Sequence, residues 1–492
     1  MKPILAGSGF LLAYLGWRSL AWPLIHDAPL MHYIAWLIGQ GAVPYRDAFD
    51  MNFPGVYAVH AAVLAALGGG DLAWRLFDLG WLLVTALIVA AYCGRFAGGA
   101  SAAAGALLFA LYHVAGGAAR VGQRDFLLCA FLIAGAWGVA RSWERAGALG
   151  PLASAGLVLG AGLTIKPHAI LFWLGAAAVA GVGRRRAGRA WVTGAGAVLL
   201  AGLVAPAVAC LWLAWRGGLG AFGSVLADYV IPLYTRVGRV AVWEAFGGHA
   251  YGWPIFALLG ALGVLGLVWG AGRSTDIRFG LGLLGVGYGV AHYAAQGKGW
   301  AYHLYPLALF LCVLAASAAG IGAGQAPRRA WAGLQRAVML LVLAGTVAVL
   351  GAKGVDAREV SWVAAKSRLV TTLAGDLRAL VPPGGTVQVM DTTSGGIHAL
   401  LRLGVRPPTR FIYDFHFFHD EQDPRIQALR AEFVRGLEAA PPAALVVLRR
   451  SWPELGYERL ARFPALARLL ADRYEVARDG GDYRIYAKRS GS

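Results

Sequence analysis

The chain has 492 residues, of which 58% are hydrophobic and only 14% are charged. Ordinary soluble proteins carry about 25% charged residues, so most of this chain cannot be a soluble domain. A net charge of +18 would indicate nucleic-acid binding in a soluble protein. Here arginine and lysine are needed at the cytoplasmic ends of membrane spans. The composition therefore predicts a multi-pass protein of a bacterial-type inner membrane, embedded in its lipids and without a nucleic-acid partner.

The acidic residues divide the chain into two parts. Residues 1–353 contain ten of the 26 acidic residues, and the last 139 residues contain the other sixteen. This division predicts a transmembrane domain at 1–353 and a soluble domain at 354–492. Spans need about 20 apolar residues. Such runs occur near 4–23, 72–92, 99–118, 126–140, 150–165, 168–182, 190–215, 250–270, 279–296, 301–319 and 337–352.

Loop charge fixes the predicted topology. A further apolar run at 53–67 is short and contains His60, so we interpret it as a helix at the outer interface rather than a span. With eleven spans and a cytoplasmic N-terminus, the inner loops carry thirteen basic residues and only two acids, Glu144 and Asp276. This asymmetry fits the positive-inside rule. The same topology places a long first loop (24–71) and the 354–492 domain in the periplasm.

The C-terminal sequence is typical of a small α/β domain. Buried strands are predicted at 386–390 and 444–448, and a third strand at 483–487. Helical patterns lie near 357–380, 422–439 and 454–472, and proline pairs close two of them. The predicted fold is therefore an α-helical polytopic membrane protein of about eleven transmembrane helices with a C-terminal soluble α/β domain.

Ionisable residues concentrate in the predicted outer loops, at 120–125, 166–168 and 297–303. Charged groups at membrane depth are costly, so they indicate function. In the first loop, Asp27 follows the first span directly. Its carboxylate could deprotonate a hydroxyl at the edge of the bilayer. It could equally cap the helix that begins at Ala28 and Pro29.

A span ends in Asp27, and a helix leads to Gly-Ala-Val-Pro-Tyr-Arg-Asp at 41–47 and Asp-Met-Asn-Phe-Pro-Gly at 50–55. Further motifs are Arg124-Asp125, the Lys-Pro turn at Lys166 and Gly-Lys-Gly-Trp-Ala-Tyr-His at 297–303. Over roughly residues 1–350, the order of these motifs resembles the GT-C membrane glycosyltransferases, in particular the branch of protein mannosyltransferases and lipid A aminoarabinose transferases. The family's common pair of adjacent acids is replaced here by His26 and Asp27.

The resemblance implies an outward-facing cavity in which a sugar moves, with inversion, from a polyprenyl-phosphate carrier to a hydroxyl of a surface or lipid-linked glycan acceptor. It assigns the catalytic base to Asp27. The leaving lipid phosphate needs positive charge, and four outer cations are candidates for it: Arg120, Arg124, Lys166 and Lys298. Lys166 has no acidic residue near it in the sequence, so we expect it to contact the phosphate. Snorkelling toward lipid head groups is the alternative for each cation.

Six further residues are candidates for substrate binding: Asp50, Asn52, Asp125, His168, Tyr302 and His303. Asp50, Asn52 and Asp125 could bind sugar hydroxyls, orient a phosphate-binding arginine or hold a divalent cation, which is a possible cofactor of unknown identity. A structural salt bridge with Arg124 is the alternative for Asp125, and the aromatic belt is the alternative for Tyr302. The loop at 416–420 has metal-ligand residue types but is interpreted as a simple loop.

Two other functions remain open from the sequence. A transporter or flippase of lipid-linked sugars would also need cations and aromatic residues in a cavity, although alternating access favours a site near mid-membrane. A non-catalytic subunit of a glycan assembly complex would depend on the C-terminal domain instead.

Overall fold

The structure is a computed structural model that describes residues 1–247, 253–269, 276–320, 329–358, 361–452 and 456–489. The membrane part consists of the helices α1 (Lys2–Arg18), α2 (Asp27–Gly39), α3 (Pro54–Leu67), α4 (Asp71–Ala97), α5 (Gly99–Ala115), α6 (Arg124–Glu144), α7 (Leu149–Ile165), α8 (Ile170–Arg186), α9 (Trp191–Gly202), α10 (Val204–Trp215), α11 (Leu219–Ser224), α12 (Val242–Gly247), α13 (Trp253–Trp269), α14 (Ile277–Gln296), α15 (Tyr305–Ala316) and α16 (Arg329–Arg358). A π-helical segment, Val225–Tyr234, follows α11.

The C-terminal part, residues 361–452 and 456–489, alternates helices and strands. Its elements are α17 (Ser361–Leu380), β1 (Val387–Met390), α18 (Gly396–Leu403), α19 (Pro424–Ala439), β2 (Ala444–Leu448), α20 (Pro464–Arg473), β3 (Tyr474–Asp479) and β4 (Tyr483–Lys488). The strand order is β1-β2-β4-β3, with β1 and β2 parallel and the other two pairs antiparallel. The predicted helical membrane protein with a C-terminal α/β domain is confirmed.

Six helical stretches are long and apolar enough to cross a bilayer: Lys2–Ala21, Asp71–Phe96, Arg124–Glu144, Trp191–Trp215, Ala301–Ala319 and Ala332–Leu380, of which residues 359–360 lie outside the described residues. Each of the other predicted spans also coincides with a helix, although residues 250–252 and 270 of one run lie outside the described residues. The chain is a multi-pass membrane protein. The count of eleven crossings, the orientation and the boundary at 353/354, which falls inside α16, stay predictions.

Close helix contacts depend on small residues. Gly156 and Gly160 of α7 face α9, and a Cβ atom on Gly160 would lie 2.1 Å from the carbonyl oxygen of Gly202. Without side chains at these positions the two backbones can approach each other closely, as is common in membrane helix bundles.

The loops predicted to be cytoplasmic gather at one end of the bundle. The guanidinium group of Arg278 bonds to Asp276 and pairs with Glu144, and Arg184 donates to the carbonyl oxygen of Gly147 at 2.7 Å. The ionisable clusters of the predicted outer loops lie at the opposite end, where the C-terminal part is docked.

The first outer loop forms much of the contact between the membrane part and the C-terminal part. The Tyr33 hydroxyl donates to the Val405 carbonyl at 2.6 Å, and the Phe49 amide donates to the Arg410 carbonyl at 2.7 Å. Arg402 lies 2.8 Å from Asp71 at the edge of this contact. Apolar residues of both parts share one buried core. The contact therefore places the C-terminal part directly over the outer loops.

Candidate active site

A cavity of about 500 Å³ lies between the outer loops and the C-terminal part. Six of the residues predicted for catalysis or binding line it: Asp27, Asp50, Asn52, Arg120, Arg124 and Tyr302. These residues come from three separate stretches of sequence, so the fold brings together much of the predicted site. The other five predicted residues, Asp125, Lys166, His168, Lys298 and His303, are not part of the lining.

Asp27 is the first residue of α2 and forms an ion pair with Arg124. Its Oδ2 atom lies 3.0 Å from Arg124 Nη2, and both side chains are partly exposed. The position before the helix is held by His26, whose φ of 52° is unusual for a residue other than glycine. The carboxylate is bonded to an arginine across the cavity rather than to the amides of its own helix. The contact supports a role beyond helix capping.

The turn between α5 and α6 supplies both cavity cations. Arg120 ends a short 3₁₀ turn and lies over the rings of Tyr112 and Tyr305, with its guanidinium carbon 5.8 and 5.4 Å from their centroids. Arg124 begins α6. Between them, Gly122 has a φ of 64°, and a Cβ atom there would lie 2.1 Å from Trp74. Only glycine fits this crowded left-handed position.

Several polar atoms of the cavity lining have no hydrogen-bond partner within the described structure. They are Asn52 Oδ1, Arg120 Nη1, Gln123 Oε1 and Arg124 Nε. Buried polar groups are almost always paired in native proteins. These four atoms are themselves buried and belong to residues of one lining, so the polar groups around this cavity are incompletely paired within the described residues.

A buried cluster of charged residues supports the turn that carries Arg120 and Arg124, and the sequence analysis did not identify this cluster. Asp78 of α4 accepts a bond from the Gly122 amide at 2.7 Å and from His113 Nε2 at 2.9 Å, and it pairs with Arg75. His113 Nδ1 in turn lies 2.7 Å from the hydroxyl of Tyr305, beneath Arg120. The signal in the sequence was the spacing of Arg75 and Asp78, which lie three residues apart inside an apolar run. Buried charges need partners, so this spacing predicts an ion pair.

Asp50 is fully buried at the edge of the cavity, surrounded by neutral donors. It accepts bonds from Asn52 Nδ2 at 2.8 Å and from the hydroxyl of Tyr413 at 2.9 Å, and also from the hydroxyl of Tyr57. Tyr413 belongs to the C-terminal part. Asp50 therefore joins the first outer loop to the C-terminal part.

Lys166 has an acidic partner in space, although no acidic residue is near it in the sequence. Its Nζ atom lies 3.0 Å from Asp125 Oδ2, and both side chains are buried. Asp125 also lies 2.6 Å from His292 Nε2, and the rings of His168 and His303 lie near that of His292. Asp125 and Lys166 are 41 positions apart in the sequence. Only the packing of α6 against α7 therefore reveals their contact. The alternative pairing of Asp125 with Arg124 is also not formed, because Arg124 bonds to Asp27.

Lys298 contacts backbone oxygens rather than the cavity. Its Nζ atom donates to the carbonyls of Tyr234 and Val237 and lies 4.1 Å from the centroid of the Tyr234 ring. Burial, followed by repulsion from Arg239 and Lys166, lowers the pKa of Lys298 to about 8. Its charge therefore changes close to physiological pH.

The C-terminal part contributes residues to the cavity that sequence reasoning did not identify. They are Thr392, Thr393, Tyr413, Phe415 and Trp452. Lys366 of α17 donates to the carbonyl of Thr393. Burial and the nearby charge of Lys366 lower the pKa of His26, which favours its neutral form beside Asp27. The cavity is thus completed by the C-terminal part.

The carboxylates of the cavity do not form a divalent-cation site. Asp27 is bonded to Arg124, and Asp50 accepts bonds from Asn52 and two tyrosines. Across the described ranges, no group of three or more His, Cys, Asp and Glu side chains is arranged to hold a metal ion. His416 of the 416–420 loop is buried among aromatic rings. We therefore assign no step to a metal ion.

No protein-family model and no curated protein sequence matches the chain. Solved structures do match. ArnT from Cupriavidus metallidurans bound to undecaprenyl phosphate has a TM-score of 0.62 at 13% identity, covering 100% of this chain and 98% of that protein. The apo structure of the same protein has a TM-score of 0.60 at 13% identity, covering 99% of this chain and 98% of that protein. The chain has the GT-C fold. The archaeal oligosaccharyltransferase AglB from Archaeoglobus fulgidus has a TM-score of 0.47 at 12% identity, covering 99% of this chain and 74% of that protein.

The GT-C fold was predicted from the first-loop motifs and is confirmed. The similarity extends over the whole chain, including the C-terminal part, whereas the sequence motifs reached only to about residue 350. The cavity between the outer loops and the C-terminal part therefore lies within one continuous GT-C architecture.

Proposed function

We propose that the protein is a membrane glycosyltransferase that moves a sugar from a polyprenyl-phosphate carrier to an acceptor hydroxyl. The observation that carries this proposal is the cavity in which Asp27 and Arg124 are in contact and Arg120 also lies in the lining. A base and a cationic site for phosphate are the two groups that the reaction requires. The ArnT structure, bound to undecaprenyl phosphate, supports the same class of carrier.

The proposed reaction is a single inverting displacement. The acceptor hydroxyl gives its proton to a carboxylate oxygen of Asp27 while its oxygen forms a bond to the anomeric carbon. The bond from that carbon to the phosphate oxygen breaks, and the polyprenyl phosphate leaves with an additional negative charge. Arg124 and Arg120 stabilise this charge as it develops. Arginine suits the role because its planar guanidinium group can bind two phosphate oxygens at once.

The contact between Asp27 and Arg124 gives the donor phosphate a specific role. Before the donor binds, Arg124 Nη2 is bonded to Asp27, and Arg124 Nε has no hydrogen-bond partner among the described residues. A phosphate that binds Arg124 competes with the carboxylate for the guanidinium group. The carboxylate is then more available to accept the acceptor proton, so the base is most effective when the donor is present.

The structural positions revise the contribution of the other predicted phosphate ligands. Lys166 is held by Asp125, and Lys298 is held by two carbonyls. We propose that Lys166 stabilises the start of α6 from behind the cavity. Lys298 instead fixes the 234–237 segment at the rim. Asp50 and Asn52 orient the first outer loop, and Tyr302 contacts the substrate.

Sugar transfer by purified protein tests the proposal. The protein is incubated with undecaprenyl-phosphate sugars and with a membrane glycolipid fraction as acceptor, and released undecaprenyl phosphate is measured. We expect release that depends on the acceptor and on Asp27. A flippase or a non-catalytic subunit would move or bind the donor without cleaving it. Donor that remains intact with every sugar and acceptor fraction would contradict the proposal.

We further propose that the cavity and the C-terminal part face the periplasm. The support is the charge asymmetry of the loops together with their separation to opposite ends of the bundle. Single cysteines at Arg186 and Arg435 should react with an impermeant thiol reagent from opposite sides of the membrane. Reaction of both from one side would contradict this orientation.

A further inference from the structure

The C-terminal part supplies a distinct wall of the cavity, and its chemistry differs from that of the membrane part. Its lining residues are two threonines and three aromatic residues: Thr392, Thr393, Tyr413, Phe415 and Trp452. None of them carries a charge. The arginines and Asp27 all come from the membrane part. The charged residues of the lining thus come from the membrane part, which also contributes the aromatic residues Tyr234, Trp300 and Tyr302, whereas the C-terminal wall is uncharged.

Trp452 is central to this neutral wall. Its ring centroid lies 5.3 Å from that of Phe415 and 6.4 Å from that of Trp300, which belongs to the rim of the membrane part. The ring of Phe415 stacks on Tyr413 at 5.7 Å and 8°. Phe415 and Tyr413 are buried, whereas Trp452 is 36% exposed. Trp452 is therefore the accessible member of an aromatic group whose other residues from the C-terminal part, Phe415 and Tyr413, are buried.

The position of Trp452 is fixed through its backbone. The Thr392 hydroxyl lies 3.2 Å from the Trp452 carbonyl and 3.1 Å from Asp414 Oδ1. Asp414 is buried and pairs with Arg459 at 3.2 Å. This network anchors the loop after β2 to the loop after β1. An exposed tryptophan held in this way presents a preorganised apolar surface, which reduces the entropic cost of binding.

We propose that this wall binds the saccharide portion of the acceptor, so that the acceptor is a glycan rather than a protein or a simple lipid. This inference rests on the proposed function. A sugar ring has an apolar face of C–H groups that packs on an aromatic ring and an edge of hydroxyls that need polar partners. Aromatic side chains with a few hydrogen-bonding groups are typical of sites for such ligands. The phosphate of the donor instead needs the arginines on the other side.

A binding experiment with soluble saccharides tests the assignment. The full chain is purified in a detergent without a sugar head group. Binding of neutral tetrasaccharides of β-linked glucose, β-linked N-acetylglucosamine and α-linked mannose is then measured by saturation-transfer NMR. We expect at least one to bind and Trp452→Ala to weaken that binding about tenfold or more. Trp452→Leu, which keeps apolar volume without a ring, should behave in the same way, and Trp452→Phe should retain part of the affinity.

Two controls separate this site from the rest of the cavity. Trp243→Ala removes an exposed tryptophan that does not line the cavity and should leave saccharide binding unchanged. Binding of undecaprenyl phosphate, followed by native mass spectrometry, should be the same in Trp452→Leu and the wild type. Thermal unfolding shows whether each variant folds. If Trp452→Ala fails to fold, Trp452→Leu and Trp452→Phe provide the test.

Three outcomes would overturn the assignment: no tetrasaccharide binds, the Trp452 variants bind as the wild type does, or they lose undecaprenyl phosphate instead. Failure of the proposed function is distinguishable from these. A chain that binds saccharide through Trp452 but never cleaves a polyprenyl-phosphate sugar would retain the binding site and lose the transferase assignment.

Discussion

The Oδ2 atom of Asp27 lies 3.0 Å from the Nη2 atom of Arg124, although the two residues are 97 positions apart in the sequence. One belongs to the start of α2 and the other to the start of α6. The contact places the proposed base beside the proposed phosphate ligand. The predictions for Asp27, Arg124, Lys166 and Gly122 concern this contact or the residues that hold it in place.

Asp27→Asn should abolish sugar transfer. The amide keeps the shape of the side chain and can still accept a bond from Arg124, but it cannot take up a proton. Binding of undecaprenyl phosphate and thermal stability should stay close to those of the wild type. The matched control is Asp47→Asn, which changes a half-buried acid of the same loop that pairs with Arg46 outside the cavity and can still accept the bond from the Val43 amide. A near-normal rate in Asp27→Asn would show that the base lies elsewhere.

Arg124→Ala should weaken donor use more than acceptor use. Charge-assisted hydrogen bonds contribute about 1.5–3 kcal/mol each, so the apparent donor affinity should fall roughly tenfold to a hundredfold. Arg124→Lys should recover part of the loss because charge is retained without the planar fork. Steady-state kinetics with donor and acceptor varied separately measure the two effects. Arg46→Ala, at an exposed ion pair, is the control, and an unchanged donor KM in Arg124→Ala would contradict the assignment.

Lys166→Ala should destabilise the protein. Removing one partner of a buried ion pair leaves an uncompensated charge and costs about 3–5 kcal/mol, and here the remaining carboxylate of Asp125 is fully buried. We expect a clear drop in the thermal unfolding temperature in detergent. The double variant Asp125→Asn/Lys166→Met, which removes both charges, should recover part of it. Wild-type stability together with lost donor binding in Lys166→Ala would instead support direct phosphate contact by Lys166.

The sequence was most informative where local patterns determine the structure. Apolar runs predicted the membrane helices, and β1, β2 and β4 were found because their residues are buried or alternate. Strand β3 was missed because only its first residue, Tyr474, is buried. Its exposed, charged sequence does not resemble a core strand. Helix α18 was missed because its eight residues give too short a pattern to recognise.

The site was only partly predictable because its contacts join distant segments. Asp27 and Arg124 were identified from motifs, but their contact could not be read from the sequence. The same limit hid the partner of Lys166, since Asp125 approaches it only through helix packing. Trp452 carries no motif at all, and only the docking of the C-terminal part brings it to the cavity.

Gly122→Ala should reduce both stability and donor use. The added methyl group would sit at a φ of 64° and within 2.1 Å of Trp74, so the turn that carries Arg120 and Arg124 must move. The bond from the Gly122 amide to Asp78 would weaken as a result. Gly150→Ala, in a helix with open space around the new methyl group, is the control. Unfolding temperature and donor KM are the measurements, and parallel behaviour of the two variants would contradict the role of this turn.

Lys298 should make stability depend on pH between about 8 and 10. The pKa of Lys298 in the folded protein is lowered to about 8, whereas a free lysine has a pKa of about 10.4. Between these values the unfolded chain binds more protons than the folded chain, so the free energy of unfolding rises with pH. The stability of the wild type relative to Lys298→Met should therefore increase from pH 8 to pH 10.

Relative to Lys298→Met, Lys298→Arg should show no such increase, because arginine stays protonated. Thermal unfolding of the three proteins at each pH measures the differences. A wild-type advantage that falls with pH would mean that the carbonyls of Tyr234 and Val237 stabilise the charged amine more than burial opposes it.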